Sequence, residues 1–211
     1  MQYRKMGRTG LQVSALGFGC MRLPTKATRE EVDEAEATRL LHYAIEHGVN
    51  YFDSGYNYHG GNSERILGRA LQGGLRHRVF VATKLWGPAA HEYADFDKLL
   101  SEQLARLQTD HLDFYLLHGL RKERWEALRE LGILEWLPRA KADGRIRFSG
   151  FSFRDSLATF QEIVDAFDWD MCQIQYNYMN ETLQAGTAGL RYAAARGMGV
   201  VVMEPLLGGR L

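Results

Sequence analysis

Short apolar runs recur along this 211-residue chain roughly every 30 residues, each followed by a longer amphipathic stretch. That rhythm restricts the fold more than any other feature. The runs centre near Gly17, Tyr51, Val81, Tyr115, Phe148, Gln173 and Val201. Strand-plus-helix units of this size imply a parallel sheet wrapped by helices. The helical stretches, with apolar residues at three- and four-residue spacing, cover 36–47, 63–71, 96–107, 125–142, 156–166 and 187–195. Ser63 is expected to cap its helix, Gly48 to end the first one, and Pro138 to kink or interrupt the longest. Ahead of this series, residues 2–4 and 12–15 flank a turn carrying Gly7 and Gly10, the pattern of a β-hairpin.

Two architectures satisfy the alternation: a doubly wound open sheet and a (β/α)8 barrel. An open dinucleotide-binding sheet places Gly-x-Gly-x-x-Gly after its first strand. Here that segment reads Gly17-Phe18-Gly19-Cys20-Met21-Arg22, with Arg22 at the third glycine position. The expected fold is therefore an α/β (β/α)8 TIM barrel, with residues 1–211 forming a single domain. Only seven strands and the N-terminal hairpin can be counted before the sequence ends in the loop 204–211. The expectation is a barrel truncated at its C-terminus, its eighth strand missing, or an open barrel completed by another chain. Either way the first and last strands would carry unpaired edges.

Composition excludes several classes. Lys plus Arg and Asp plus Glu balance at 26 each and are dispersed, which gives no footprint for nucleic acid or an anionic membrane. No apolar run approaches the roughly 18 residues that span a bilayer, and the polar N-terminus lacks a signal region, so a cytoplasmic location is expected. The two cysteines, Cys20 and Cys172, lie far apart inside apolar runs and are expected to be core residues; no metal cluster is indicated.

Against this apolar background, four polar residues sit at or just beyond strand ends: Asp53, Tyr58, Lys84 and His118. Buried parallel strands should be apolar throughout, and strand C-terminal ends are where barrels of this kind gather their chemistry. A phenol has a pKa near 10, and an adjacent ammonium stabilises its phenolate. A carboxylate beside the lysine holds the ammonium in place against desolvation. A histidine facing the same space can orient a substrate oxygen. Together these groups could polarise and protonate a carbonyl. They cannot supply a hydride, so a cofactor must.

With those residues in place the chain resembles the aldo-keto reductase family over its whole length. The resemblance is carried by Leu16-Gly17-Phe18-Gly19, Phe52-Asp53-Ser54-Gly55-Tyr56-Asn57-Tyr58, Asn62-Ser63-Glu64-Arg65-Ile66-Leu67-Gly68, Ala82-Thr83-Lys84 and Leu116-Leu117-His118. It implies a catalytic tetrad of Asp53, Tyr58, Lys84 and His118, and NADPH-dependent reduction of an aldehyde or ketone with Tyr58 as general acid. Ser152 and Gln175 would hold the nicotinamide carboxamide. The family's asparagine after the serine is Phe153 here, and the tyrosine that stacks on the nicotinamide is Met203. The Gly150-Phe151-Ser152-Phe153 segment is similar to a branch that often carries a ferredoxin-like iron–sulfur tail, which would lie beyond Leu211. The adenosine 2′-phosphate site would lie there too, which implies a weakened or absent cofactor grip.

Gly208 and Gly209 could cradle a pyrophosphate in the loop after the seventh strand. Trp86, two residues past Lys84, could line the substrate pocket. Tyr56 rivals Tyr58 as the acid, and only the five-residue spacing from Asp53 selects between them. Trp125, Trp136 and Trp169 read as helix-packing residues, and the remaining histidines receive no role. The alternative to an enzyme is a non-enzymatic nucleotide-sensing, scaffold or accessory barrel, or an inactive fragment of the reductase.

Overall fold

The computed structural model describes residues 1–28 and 30–211. A two-stranded antiparallel hairpin, β1 (Tyr3–Lys5) and β2 (Gln12–Ser14), precedes a parallel sheet. That sheet runs in strict sequence order through β3 (Phe18–Gly19), β4 (Tyr51–Asp53), β5 (Phe80–Leu85), β6 (Leu112–Leu120), β7 (Ile146–Phe153), β8 (Met171–Gln175) and β9 (Gly199–Met203). Helices cross between strands: α1 (Glu34–Glu46), α2 (Asn62–Ala70), α3 (Tyr93–Leu107), the pair α4 (Lys122–Glu130) and α5 (Ile133–Ala142), α6 (Leu157–Asp165) and α7 (Gly186–Ala195). The sheet curls. In a flat sheet β4 and β8 would lie roughly 19 Å apart, four strand spacings, yet Gln173 on β8 donates a 3.1 Å hydrogen bond to Asp53 on β4. The architecture is that of a (β/α)8 barrel with seven strands in place, as the sequence rhythm predicts.

Side chains on the two faces of the strands form separate cores. Phe52, Val81, Leu85, Tyr115, Leu117, Phe151, Phe153, Cys172 and Ile174 face outward and pack against the helices with Leu41, Leu67, Leu100, Trp136 and Phe160. Each fully buried residue of this kind contributes about 1.5–3 kcal/mol. The alternate residues Tyr51, Ala82, Phe114, Leu116 and Met171 face inward, and Met6 and Val13 of the hairpin join them. Asn50 ties the hairpin down, accepting from Ser14 N at 2.7 Å and donating to Gln12 O at 3.0 Å. The N-terminal end of the barrel is thus plugged by apolar side chains, and polar groups are left to the C-terminal end. Among the described residues no helix is long and apolar enough to cross a membrane.

Helix starts follow their capping residues. Asp33 accepts from Glu36 N at 3.2 Å, so α1 begins two residues earlier than the apolar pattern suggests. Ser156 caps α6 through Thr159 N at 3.3 Å. Ser63, in contrast, is not a cap. It lies inside α2, which starts at Asn62, and its buried hydroxyl bridges Ser54 Oγ (2.8 Å) and Cys20 O (3.0 Å), tying the helix to the ends of β4 and β3. The expected single helix over 125–142 is two helices. Gly132, at φ +84, breaks them, while Pro138 sits within α5. The left-handed turn suits a glycine and reverses the chain before the proline is reached. Both cysteines are buried and unpaired, as expected. Burial pushes the Cys172 thiol up to about 12.

Candidate active site

Asp53 ends β4, Lys84 is the penultimate residue of β5, and His118 lies near the end of β6, within the register shift between Leu117 and Leu120. Strand parity turns Asp53 and Lys84 inward, in line with Tyr51 and Ala82 below them. Lys84 is 1% exposed. Its ammonium pairs with Asp53 Oδ1 and donates to Ser54 O at 2.6 Å. Burial pulls the Lys84 ammonium down, but the Asp53 carboxylate and the Tyr58 oxygen more than offset it, so the group titrates above its ordinary value. It is a fixed positive charge at neutral pH.

Tyr58 reaches this charge from the loop after β4. Its ring lies under Lys84 Nζ, 4.9 Å from the centroid, and meets the His118 ring edge-on at 5.6 Å. Gly55 makes room for it: a Cβ there would fall 3.0 Å from Tyr58 Cζ. Tyr56 turns the other way. Its hydroxyl donates to Glu102 on α3 at 2.9 Å, and the Arg106 guanidinium stacks 4.3 Å from its ring centroid. Geometry therefore separates two tyrosines that sequence spacing alone distinguishes. His118 faces the same mouth, with the Trp86 ring edge-on at 6.3 Å. Burial, then Lys84, Arg124 and Arg154, push its imidazole down to about 3, so it is neutral.

The remaining predicted residues sit around this cluster at different depths. Ser152 is buried, and its Oγ accepts from Gly119 N at 2.7 Å, fixing the irregular end of β6. Gln175 is 2% exposed, shares the inward parity of Met171 and Gln173, and its Oε1 has no hydrogen-bond partner among the described residues. Met203 pairs in register with Gln175 and lies 3.8 Å, through Sδ, from Arg154 Nη2. Arg154 in turn pairs with Glu204 across the ends of β7 and β9. Gly208 passes so close to Arg22 that a Cβ would fall 2.6 Å from its guanidinium. Gly209 N bonds Leu206 O at 2.8 Å in the same turn. Phe153 points away from the mouth, buried in the helix layer against Phe160 at 5.1 Å.

Two residues with consequences for the site were not singled out from sequence. Gln173 holds the second oxygen of Asp53. Its signal was present, since a glutamine at an inward position of an apolar strand needs a partner. His59, buried beside Tyr58 at φ +51, accepts from Leu23 N at 3.2 Å through Nε2 and so ties the tyrosine loop to the segment that follows β3. No local pattern announces it.

The comparisons with known proteins converge on one family. The aldo/keto reductase family model matches residues 15–211. The chain belongs to the aldo/keto reductase family. It is 34% identical over 169 residues to the uncharacterized oxidoreductase YqkF of Bacillus subtilis, covering 72% of this chain and 49% of that protein. It is 30% identical to L-galactose dehydrogenase of Arabidopsis thaliana, covering 100% of this chain and 67% of that protein. Among solved structures, the holo form of aldo-keto reductase AKR11C1 from Bacillus halodurans superposes with a TM-score of 0.81 at 28% identity, covering 99% of this chain and 68% of that one. An aldo-keto reductase from Klebsiella pneumoniae in complex with NADPH matches at a TM-score of 0.76 and 25% identity, covering 99% of this chain and 70% of that one. The chain thus spans half to about two thirds of the length of these relatives.

Proposed function

We propose that the chain carries the proton-donating site of an NADPH-dependent carbonyl reductase acting on a small aldehyde or ketone. The observation that carries this reading is a buried ammonium–carboxylate pair whose ammonium lies over a phenol ring, itself edge-on to a neutral imidazole, at the open end of the barrel. A substrate carbonyl oxygen lying between Tyr58 and His118 accepts the phenolic proton as the carbon is reduced. The phenolate left behind faces the Lys84 ammonium, which Asp53 and Ser54 O keep in position. His118, being neutral, donates a hydrogen bond to the same oxygen without competing as an acid. Trp86 forms a wall of the pocket.

A nicotinamide supplies the hydride when bound. The residues present fit it. The orphaned Gln175 Oε1 is a buried acceptor suited to a carboxamide N–H, and Ser152 and Met203 lie on the adjoining strand ends. Arg22, beside the Gly208 turn, offers a cation to a pyrophosphate. The fold and the NADPH-bound structure of a relative support this reading. A second reading, a nucleotide-sensing accessory barrel, draws on Phe153, which gives the helix layer an aromatic where the family offers an asparagine. Titration with NADPH followed by tryptophan fluorescence, then NADPH oxidation with a panel of aldehydes, separates the two. Binding with oxidation supports the reductase; binding without oxidation by any aldehyde supports the sensor.

A further inference from the structure

We propose that the cleft between the loop after β5 and helix α4 is a distal substrate subsite for a carboxylate, with Arg124 as its counter-charge. The preferred substrate would carry a carbonyl at one end and a carboxylate at the other, joined by an apolar body. The inference rests on the reductase reading above and names the substrate class for that site.

The cleft measures about 350 Å³ and is walled by Pro88, Ala90, Leu128 and Leu131, with Arg124 at its edge. It is linked to the carbonyl site through Gly87, which follows Trp86, whose ring meets the His118 ring edge-on at 6.3 Å. Arg124 is anchored to the strand that bears the imidazole. Its Nη1 donates to His118 O at 3.0 Å and to Gly119 O at 3.2 Å. Two glycines give it a slot. A Cβ at Gly87 would fall 3.2 Å from Arg124 Cδ, and Gly119, at φ +58, adopts a backbone turn that side-chain-bearing residues rarely take.

This anchored guanidinium has no carboxylate. Among the described residues none forms an ion pair with Arg124, whereas Arg139, Arg145, Arg147 and Arg154 on the neighbouring elements all have one. Arg121 lines the cleft as a second cation and Glu123 as its one acid, so the cleft is net positive. A preorganised, partly desolvated arginine next to an apolar wall is the arrangement that binds a carboxylate on an apolar body at low ordering cost. An uncharged aldehyde would leave that charge unused.

The test is a matched pair, 4-carboxybenzaldehyde against 4-methylbenzaldehyde, reduced with NADPH by the wild type, R124M and R124K. The expected result is a KM preference for the carboxylate that falls at least tenfold in R124M, is partly kept in R124K, and weakens with added salt; because one variant reduces both aldehydes, any general loss of rate cancels from the ratio. A parallel titration does not depend on turnover: amide NMR shifts at Gly87 and Ala127 with 4-carboxybenzyl alcohol and 4-methylbenzyl alcohol. Saturable shifts with the carboxylate alone, lost in R124M, support the subsite. Equal KM values for the two aldehydes, or equal shifts with the two alcohols, overturn it while leaving the reductase intact. If neither aldehyde is reduced but the carboxylate still binds at Gly87 and Ala127, the reductase reading fails and the anion subsite stands.

Discussion

Strand β5 separates two buried acid–base clusters, and they are built to opposite ends. Lys84 points into the barrel, where its pair with Asp53 lies below an open mouth. Thr83, one residue earlier, points into the helix layer and donates to Glu64 Oε1 at 2.5 Å. Glu64 also accepts from Gln103 at 2.6 Å and Arg106 at 3.1 Å, and Tyr115 closes the network onto Gln103 at 2.7 Å. Burial pushes the Glu64 carboxyl up, and these bonds only partly oppose it. The outer cluster is walled in by helices and, among the described residues, leaves only Arg106 Nε unpaired, so its bonds fix the relative positions of α2, α3 and β5. The inner one keeps a phenol and an imidazole at the mouth, beside a held charge. Near-complete pairing makes a brace; incomplete enclosure makes a site.

Substitutions on each side should separate these roles. Lys84→Met is expected to have the largest effect. It should lower the rate of carbonyl reduction by about 10³-fold or more and destabilise the fold by about 3–5 kcal/mol, because Asp53 is left buried without its counter-charge, keeping only the Gln173 hydrogen bond. Steady-state assay and urea unfolding read the two effects. Glu64→Ala should cost about 3 kcal/mol in unfolding free energy, since Arg106 keeps only Glu102 as a carboxylate partner. Its effect on kcat should be far smaller than that of Lys84→Met. A comparable loss of rate would erase the distinction between brace and site.

Glu64→Gln probes the same brace through pH. With a folded-state pKa above 4.5, Glu64 contributes stability that is fully present below pH 4.5 and lost as pH rises through the raised value. The variant should therefore show a flatter stability curve on that side, measured by urea unfolding across pH. Gln173→Leu, which frees one oxygen of Asp53, should cost about 1–2 kcal/mol in the same assay. The smallest signal is a null one. With His118 lowered to about 3, its imidazole NMR resonances should not titrate between about pH 5 and 8. The stability it contributes should be present above pH 6.5 and decline only as pH falls toward that lowered value.

Much of this was legible in the sequence because it rests on periodicity. The seven strands, the hairpin and the strand-end placement of Asp53 and Lys84 follow from the recurrence of apolar runs and where each run stops. Ser63 misled because a serine before an apolar helical run reads as a cap, whereas three-dimensional contact with Ser54 and Cys20 decides its role. The break at Gly132 was hidden by apolar residues continuing at helical spacing on both sides of it. The Gln173–Asp53 bond and the anchoring of Arg124 on His118 O link residues distant in the chain or depend on backbone geometry, and no spacing rule reports them.

The central claim is that Tyr58, not Tyr56, lends the proton, from a position set by Lys84. The most direct test is single-turnover hydride transfer from NADPH to an aldehyde, compared between the wild type, Tyr58→Phe and Tyr56→Phe. The account predicts that Tyr58→Phe slows transfer by about 10²–10⁴-fold with NADPH binding nearly unchanged, while Tyr56→Phe stays within a few-fold of the wild type. Undiminished transfer in Tyr58→Phe, or an equal loss in Tyr56→Phe, would contradict it.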